Sequence, residues 1–337
     1  MTQNEIAEKL GISQSSVSLV LRDPATPRVS EKTKVRIISC LKASRYMTKT
    51  GVTRNWNLGY VTDIFQDLHQ DFFQESLLGI EKEAARNHYN LITECLRGKS
   101  LNLLTNNKAD GLIIRSGKAY EILQKNDIAV PVVLLNCTTP IRQCDSVMPD
   151  NRSGIYKVIR FLQEQNEKNI VFVSCKPNYS PYSCNYQERE FAFVDACSML
   201  KMNCSVEYVP EPSVSANKLT DHLRDLVRHW KKDKTLSIVS VNHYYASLIR
   251  KLYPDGKIVA GDNKAENGFE DKRFPMLVQD ASYMGKTAAE LLVRRIADPS
   301  RPFVRINCDM QLFLPGNGQK HDDGAGESLS GKRNSFS

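Results

Sequence analysis

Apolar residues recur at helical spacing three times before residue 45. Ile6, Ala7 and Leu10 form one stripe, Val17, Val20 and Leu21 a second, and Val35, Ile38 and Leu41 a third. Local signals bound each stretch. Thr2 and Glu5 have the spacing of a capping box, and Gly11 stands where a left-handed residue ends a helix. A second helix is expected from Ser13 or Gln14, Asp23-Pro24-Ala25-Thr26-Pro27 breaks the chain, and Ser30 can cap a third helix. Helix, glycine-containing turn, helix and supporting helix is the plan of a helix-turn-helix, predicted here for residues 1–46. Residues 47–57 are polar and weakly patterned, and read as a linker.

From Leu58 the pattern changes. Apolar runs at 58–62, 90–93, 111–114, 131–135, 170–174, 236–241 and 257–260 predict strands. Amphipathic stretches at 73–88, 152–165, 188–200, 217–231, 244–252 and 282–297 predict helices between them. Strands alternating with helices imply parallel sheets covered on both faces, and a span of this length, 58–315, suits two doubly wound α/β lobes. Residues 316–337, rich in Gly, Ser, Asn, Lys and Asp, have too little to bury and are expected to be disordered.

Charge sharpens the picture of the head. Residues 1–57 hold ten Lys/Arg and four Asp/Glu, so they carry +6 of the chain's formal +8. A basic head on a nearly neutral body points to a polyanion partner, although a merely solvated basic face would have the same charge. When a helix-turn-helix docks, the first residues of its second helix meet base edges in the major groove. Here these are Gln14, Ser15, Ser16 and Ser18, whose amide and hydroxyls can bond base edges. Arg22, Arg28 and Lys32, with Lys34 and Arg36, are candidates for phosphates, which supply affinity rather than sequence choice. A generic three-helix bundle is the alternative; turn, caps and charge together favour double-stranded DNA.

Other classes lose ground. No stretch approaches the length of a membrane span, and the N-terminus lacks a basic start followed by an apolar run, so neither a membrane nor a secretion role is expected. Nine cysteines without a Cys-x-x-Cys pair suggest reduced, mostly buried thiols in a cytoplasmic protein. No metal-ligand spacing, Gly-x-Gly-x-x-Gly or Gly-x-Ser-x-Gly occurs, so no metal, cofactor or catalytic residue is predicted. Gly285-Lys286-Thr287 has the end of a phosphate-binding loop, but Asp280 stands where the first Gly belongs and the segment reads as a helix face.

In open parallel sheets, ligands bind beyond the C-terminal ends of the strands. Phe72 and Phe73, Asn136, Asn242 and Asp262 fall just past predicted strands, and Arg189 opens a helix after a loop. The chemistry suits a small polyol, such as a sugar. Carboxylate and amides bond hydroxyls, a guanidinium fork spans neighbouring oxygens, and an aromatic face packs on ring C–H groups. Plainer roles stay open: Phe72 and Phe73 as core, Asp262-Asn263 as a turn, and Arg189 in a surface ion pair with Glu188 or Glu190.

Glu5-Ile-Ala-Glu-Lys-Leu-Gly-Ile-Ser-Gln-Ser-Ser-Val-Ser, followed by Arg28-Val-Ser-Glu-Lys-Thr-Lys-Val-Arg-Ile, resembles the head of the LacI/GalR (lactose/galactose repressor) family. Ala109-Asp-Gly-Leu-Ile-Ile, Val130-Pro-Val-Val-Leu-Leu-Asn, Asp150-Asn-Arg-Ser-Gly, Arg189-Glu-Phe-Ala-Phe and Tyr283-Met-Gly-Lys-Thr-Ala-Ala-Glu-Leu-Leu resemble its sensor-domain landmarks, in the same order. The resemblance spans residues 2–315. It implies a helix-turn-helix head on a two-lobed, periplasmic-binding-protein-like sensor. It further implies a homodimeric transcription regulator, a repressor, that binds a DNA operator under control of a carbohydrate-like effector held at the cleft positions named above. The chain also departs from the family. Leu19 stands where an Arg is usual, His243 where an Asp is usual, and the linker after Tyr46 lacks the Pro-Asn and residues of a hinge helix. These departures motivate an alternative, a ligand-binding module without specific DNA recognition. An α/β enzyme with a nucleic-acid head is a third reading, and the missing catalytic motif counts against it.

Overall fold

A computed structural model describes residues 1–44, 55–62, 71–95, 108–126, 128–137, 144–175, 183–210, 216–261 and 274–315. Residues 47–54 of the linker expected at 47–57, residues 63–70, Asp262 and the tail at 316–337 lie outside the described residues.

The head contains α1 (Gln3–Leu10), α2 (Gln14–Arg22) and α3 (Glu31–Ala43). Thr2 and Glu5 form the capping box, with the Glu5 amide donating to the Thr2 hydroxyl at 3.3 Å and the Thr2 amide to the Glu5 carboxylate at 3.0 Å. Gly11 ends α1 at φ 64°, where a side chain would be strained. Ser13 and Ser30 cap the next two helices through their hydroxyls. Ile6, Ala7, Val17, Val20, Ile37, Ile38 and Leu41 are buried. Val35 is not part of this core as its spacing suggested; it is 49% exposed, and Ile37 fills the inward position.

The body has two six-stranded sheets. The first, in the order β11-β5-β4-β3-β1-β2, uses β1 (Asn57–Thr62), β2 (Asn90–Cys95), β3 (Gly111–Arg115), β4 (Val132–Leu135), β5 (Asp145–Pro149) and β11 (Arg305–Cys308), all parallel. The second, in the order β12-β10-β9-β8-β6-β7, uses β6 (Asn169–Cys175), β7 (Asn203–Val209), β8 (Leu236–Ser240), β9 (Lys257–Gly261), β10 (Met276–Gln279) and β12 (Met310–Phe313). Only the β10–β12 pair is antiparallel among these. The connecting helices are α4 (Asp71–Arg86), α5 (Ala119–Lys125), α6 (Asn151–Glu164), α7 (Ser183–Met199), α8 (Ala216–Trp230), α9 (His243–Leu252) and α10 (Ala281–Ala297).

The two-lobed, doubly wound body expected from the sequence is therefore present. The chain does not complete one lobe before starting the other. It passes from the first sheet to the second after Pro149, returns after Gln279 so that α10 covers the first sheet, and crosses again between Cys308 and Met310. The strands β5, β7, β10, β11 and β12 and the helix α5 were not foreseen. β7 and β11 are edge strands with several exposed residues, so neither shows a clean apolar run. β5 is fully buried yet begins Asp145-Ser146.

That aspartate explains itself in the fold. Arg295 of α10 meets Asp145 through two parallel bonds of 2.9 and 3.0 Å, and Asp145 also accepts the Val304 amide at 2.9 Å. The same guanidinium donates to the carbonyls of Pro299, Arg301 and Pro302, so the turn into β11 wraps around it. Both side chains are nearly inaccessible, at 2% for Asp145 and 6% for Arg295. Nearby, α4 and α10 cross with almost no space. A Cβ at Gly285 would fall 2.0 Å from the Ser76 carbonyl oxygen, which is why the Gly-Lys-Thr triplet lies in a packed helix.

The residues just before β1 also belong to the body. Trp56, expected in the linker, is 1% exposed and left-handed at φ 59°. Its amide and that of Asn55 donate to the two carboxylate oxygens of Asp110 at 2.6 and 2.7 Å.

Asp145→Ala is expected to leave Arg295 buried without its counter-charge and to lower unfolding free energy by about 3–5 kcal/mol, measured by urea titration.

Candidate functional site

Two places gather the predicted functional residues: the exposed end of α2 and the seam between the lobes.

On the head, Gln14 and Ser15 are exposed at the start of α2, while Ser16 and Ser18 are half-buried. The Ser13 hydroxyl lies 2.8 Å from those of both Ser15 and Ser16, and the Gln14 amide donates to Gln3 at 2.6 Å. The first turn of α2 is therefore braced by its own cap and by α1. Arg22, Arg28 and Lys32 are exposed, as phosphate contacts must be. Lys34 is not: it is 7% exposed and bonds Glu31 at 3.2 Å, so its ammonium is committed within α3. Arg36 is exposed but donates to the Leu10 carbonyl at 2.8 Å, closing the end of α1. Leu19 packs half-buried against the apolar cluster of the head.

Between the lobes, a chain of buried hydrogen bonds joins residues from both. Asn136 follows β4 in the first lobe with φ 56°, a left-handed conformation that Asn tolerates better than most residues. Asn185 of α7, in the second lobe, donates to the Asn136 backbone carbonyl at 3.1 Å and to its side-chain oxygen at 2.9 Å. Asn151, at the start of α6, donates to Asn185 at 3.1 Å and to Glu188 at 2.8 Å. The Arg189 Nε donates to the Asn151 side-chain oxygen at 2.8 Å, and its Nη1 to the Val241 carbonyl at 2.8 Å. Arg189 is 1% exposed. The surface ion pair weighed for it is not formed, since Glu188 pairs with Arg305 at 2.7 Å and Glu190 accepts from Tyr208.

The other predicted contacts occupy the rim of this seam or the packing beneath it. Asn242 caps α9 by accepting the Tyr245 amide at 2.9 Å and donates to the Tyr186 hydroxyl at 2.9 Å. Phe73 is fully buried against Tyr60, with ring centroids 6.5 Å apart. The guanidinium of Arg115, at the end of β3, lies 3.5 Å from the Phe73 centroid and 5.2 Å from that of Phe72. Phe72 is 2% exposed, so neither ring stands open. The sequence reading missed Arg115, Asn151, Asn185 and Tyr186. Arg115 closes a predicted strand and Asn151 opens a predicted helix, which are positions where a buried polar residue signals a site; Asn185 and Tyr186 had no such marker.

A groove of about 760 Å³ adjoins the seam at Asn151 and Glu188 and is lined further by Arg152, Phe191, Asp195 and Arg305. None of the predicted contacts lines it. Its charges pair with one another, Arg152 with Asp195 and Arg305 with Glu188, both at 2.7 Å. We therefore place the candidate site at the polar seam. Two thiols are poor nucleophiles, as burial pushes Cys137 up to about 12 and Cys308 up to about 11.

Residues 56–197 match the family described as periplasmic binding proteins and sugar binding domain of LacI family. Over those residues the chain is similar to that family. Relatives of the whole chain include an HTH-type transcriptional repressor PurR of Aliivibrio fischeri, 21% identical, covering 88% of this chain and 92% of that protein. A ribose operon repressor of Haemophilus influenzae is 20% identical, covering 90% and 94%. The transcriptional regulator CelR–cellobiose complex superposes with a TM-score of 0.63 at 17% identity, over 93% of this chain and 98% of that one. A LacI family regulator of Enterococcus faecium with bound ribose gives 0.61 at 16% identity, over 77% and 99%. The resemblance drawn from the head and landmark motifs is thus borne out, and the matched stretch begins at the buried Trp56.

Arg189→Lys replaces a planar fork with a single ammonium that cannot hold both Asn151 and Val241. Urea unfolding is expected to show a loss of about 1–3 kcal/mol, whereas an unchanged midpoint would mean that the buried network adds nothing to stability.

Proposed function

We propose that this protein is a cytoplasmic, ligand-controlled transcription regulator, acting as a repressor. Two copies bind one operator through the exposed starts of their α2 helices, and a small polar molecule bound between the lobes alters that binding. The observation that carries the reading is the buried polar network from Asn136 through Asn185 and Asn151 to Arg189. It joins the two lobes with groups that hydroxyls could replace one for one. A sugar that bonds Asn136 or Asn185 would change which lobe arrangement is cheapest, because its bonds substitute for those now made across the seam.

Gln14, Ser15, Ser16 and Ser18 are assigned to bases, and Arg22, Arg28 and Lys32 to phosphates. Asn136, Arg189 and Asn242 are assigned to the effector, with Arg115 over Phe72 and Phe73 as the apolar-backed side of the cleft, and Asp262 completes the set by its place after β9. The repressors and sugar-bound regulators among the relatives support this reading, and we infer no catalytic role. A second reading, ligand binding without selective DNA recognition, has one observation in its favour: Leu19 is turned into the head rather than offered to a base.

Selection from random duplex DNA by the full-length protein separates the two. A palindrome should be enriched, and its affinity should fall steeply with salt, with a log–log slope near −0.9 per phosphate neutralised, about −5 for a dimer using three cations per head. Among a panel of simple sugars, ribose and cellobiose included, one should shift operator affinity by roughly 5–150-fold. Salt-sensitive binding with no enriched sequence would leave the head as a basic anchor and reject the operator reading.

A further inference from the structure

The head is seated on the first lobe. Lys42, at the end of α3, donates to the His88 carbonyl at 3.3 Å and sits 5.7 Å from the centre of the Trp56 ring. Trp56 in turn lies 5.3 Å from Tyr89. Glu31, at the other end of α3, brings a carboxylate oxygen to 3.2 Å from His88 Nε2, off the line of a good hydrogen bond. The apolar core of the head and that of the first lobe form one continuous cluster. Asp110 clamps the two amides that lead into β1, so the chain leaves the head's side of the lobe in one fixed direction. All this occupies α3, while Gln14, Ser15, Arg22, Arg28 and Lys32 stay exposed on the remaining surface.

We propose that this seam, α3 against Trp56, His88 and Tyr89, is a dock that fixes each head on its lobe and thereby sets the half-site spacing the protein accepts. The proposal rests on the reading above that paired heads bind one operator. A head tethered only by flexible chain would tolerate many spacings, since the linker would absorb the difference. A docked head turns with its lobe, so the distance and rotation between two recognition helices are those of the lobes that carry them. The dock is poised rather than permanent: Glu31 is 67% exposed and the Lys42 bond is at the surface, so no polar contact is strong alone.

His88 adds a sign to this. Burial holds it below its ordinary value of 6.5, the Glu31 carboxylate opposes that, and the ammonium groups of Lys34 and Lys42 reinforce it. These are the charged groups acting on it among the described residues, and all come from α3. The part of that burial supplied by α3 is lost when the head is released, so docking weakens as pH falls below 6.5.

The test uses full-length protein and Lys42→Glu, with Lys42→Met as the milder variant. Amide ¹⁵N relaxation comes first. Residues 3–43 of the wild type should tumble with the body, and in Lys42→Glu their apparent correlation time should fall at least about twofold while their chemical shifts stay helical. The selected palindrome is then remade with two or four base pairs inserted between half-sites. Wild type should lose at least about tenfold in affinity and Lys42→Glu less than about threefold, because inserted pairs rotate one half-site around the duplex. Wild-type heads that tumble freely, or an equal spacing penalty in both proteins, would overturn the dock. Heads that tumble with the body in a protein that selects no sequence would instead overturn the operator reading and the spacing role with it, leaving the seam as a purely structural contact.

Discussion

A buried polar network rooted on a guanidinium of the second lobe reaches across to the first at Asn136. Arg189 is out of reach of water, and an isolated charge there would be costly enough to open the structure around it. It is tolerated because Asn151 and the Val241 carbonyl take its donors. Asn151 is itself held by Asn185, and Asn185 by Asn136 across the seam. A shift of one lobe against the other must therefore break the two buried bonds that the Asn185 amide makes to Asn136, or find replacements for them. Such a system has discrete arrangements rather than a continuous range, and a small polar ligand is well suited to supply the replacements.

The path of the chain strengthens this constraint. Three crossings link the sheets at Pro149–Asn151, Gln279–Ala281 and Cys308–Met310, so the lobes rotate about a short bundle of backbone instead of swinging on one linker. Asn151 follows directly on the first crossing, so the polar network begins where rotation is smallest and reaches outward through α7. The Asp145–Arg295 pair stiffens the first lobe close by, tying β5, α10 and the turn into β11 into one block. The tight α4–α10 crossing at Gly79 and Gly285 extends that block toward the head. A head seated on such a block inherits its motion without needing a helix in the linker.

The amino-acid sequence determined most of the local structure by itself. Thr2, Glu5, Gly11, Ser13 and Ser30 act through partners within a few residues, so the head's boundaries were legible. Long apolar runs such as Leu112–Ile114 and Val132–Leu135 declared central parallel strands, because a strand buried on both faces needs no polar alternation. The basic head, the order of landmarks and the positions of Asn136 and Arg189 were legible for the same reason: each depends on residue type and place along the chain.

Tertiary structure decided what depends on distant partners. β5 begins with a buried aspartate that makes sense only beside Arg295, 150 residues later. The chain's alternation between lobes leaves no mark in periodicity. Val35 and Lys34 exchange their expected environments because Ile37, Ile38 and Leu41 set the buried face of α3, which Lys34 shares while its ammonium bonds Glu31, and Val35 falls outside it. Arg189 reads as a ligand fork or a surface ion pair until Asn151 and the Val241 carbonyl meet it in the interior, and Trp56 reads as linker until Asp110 fixes its amide and Lys42 covers its ring. Sequence sets which groups are available and their local conformation; burial and pairing across long separations are properties of the assembled chain, and they turn an ordinary charged or aromatic residue into a part of the site.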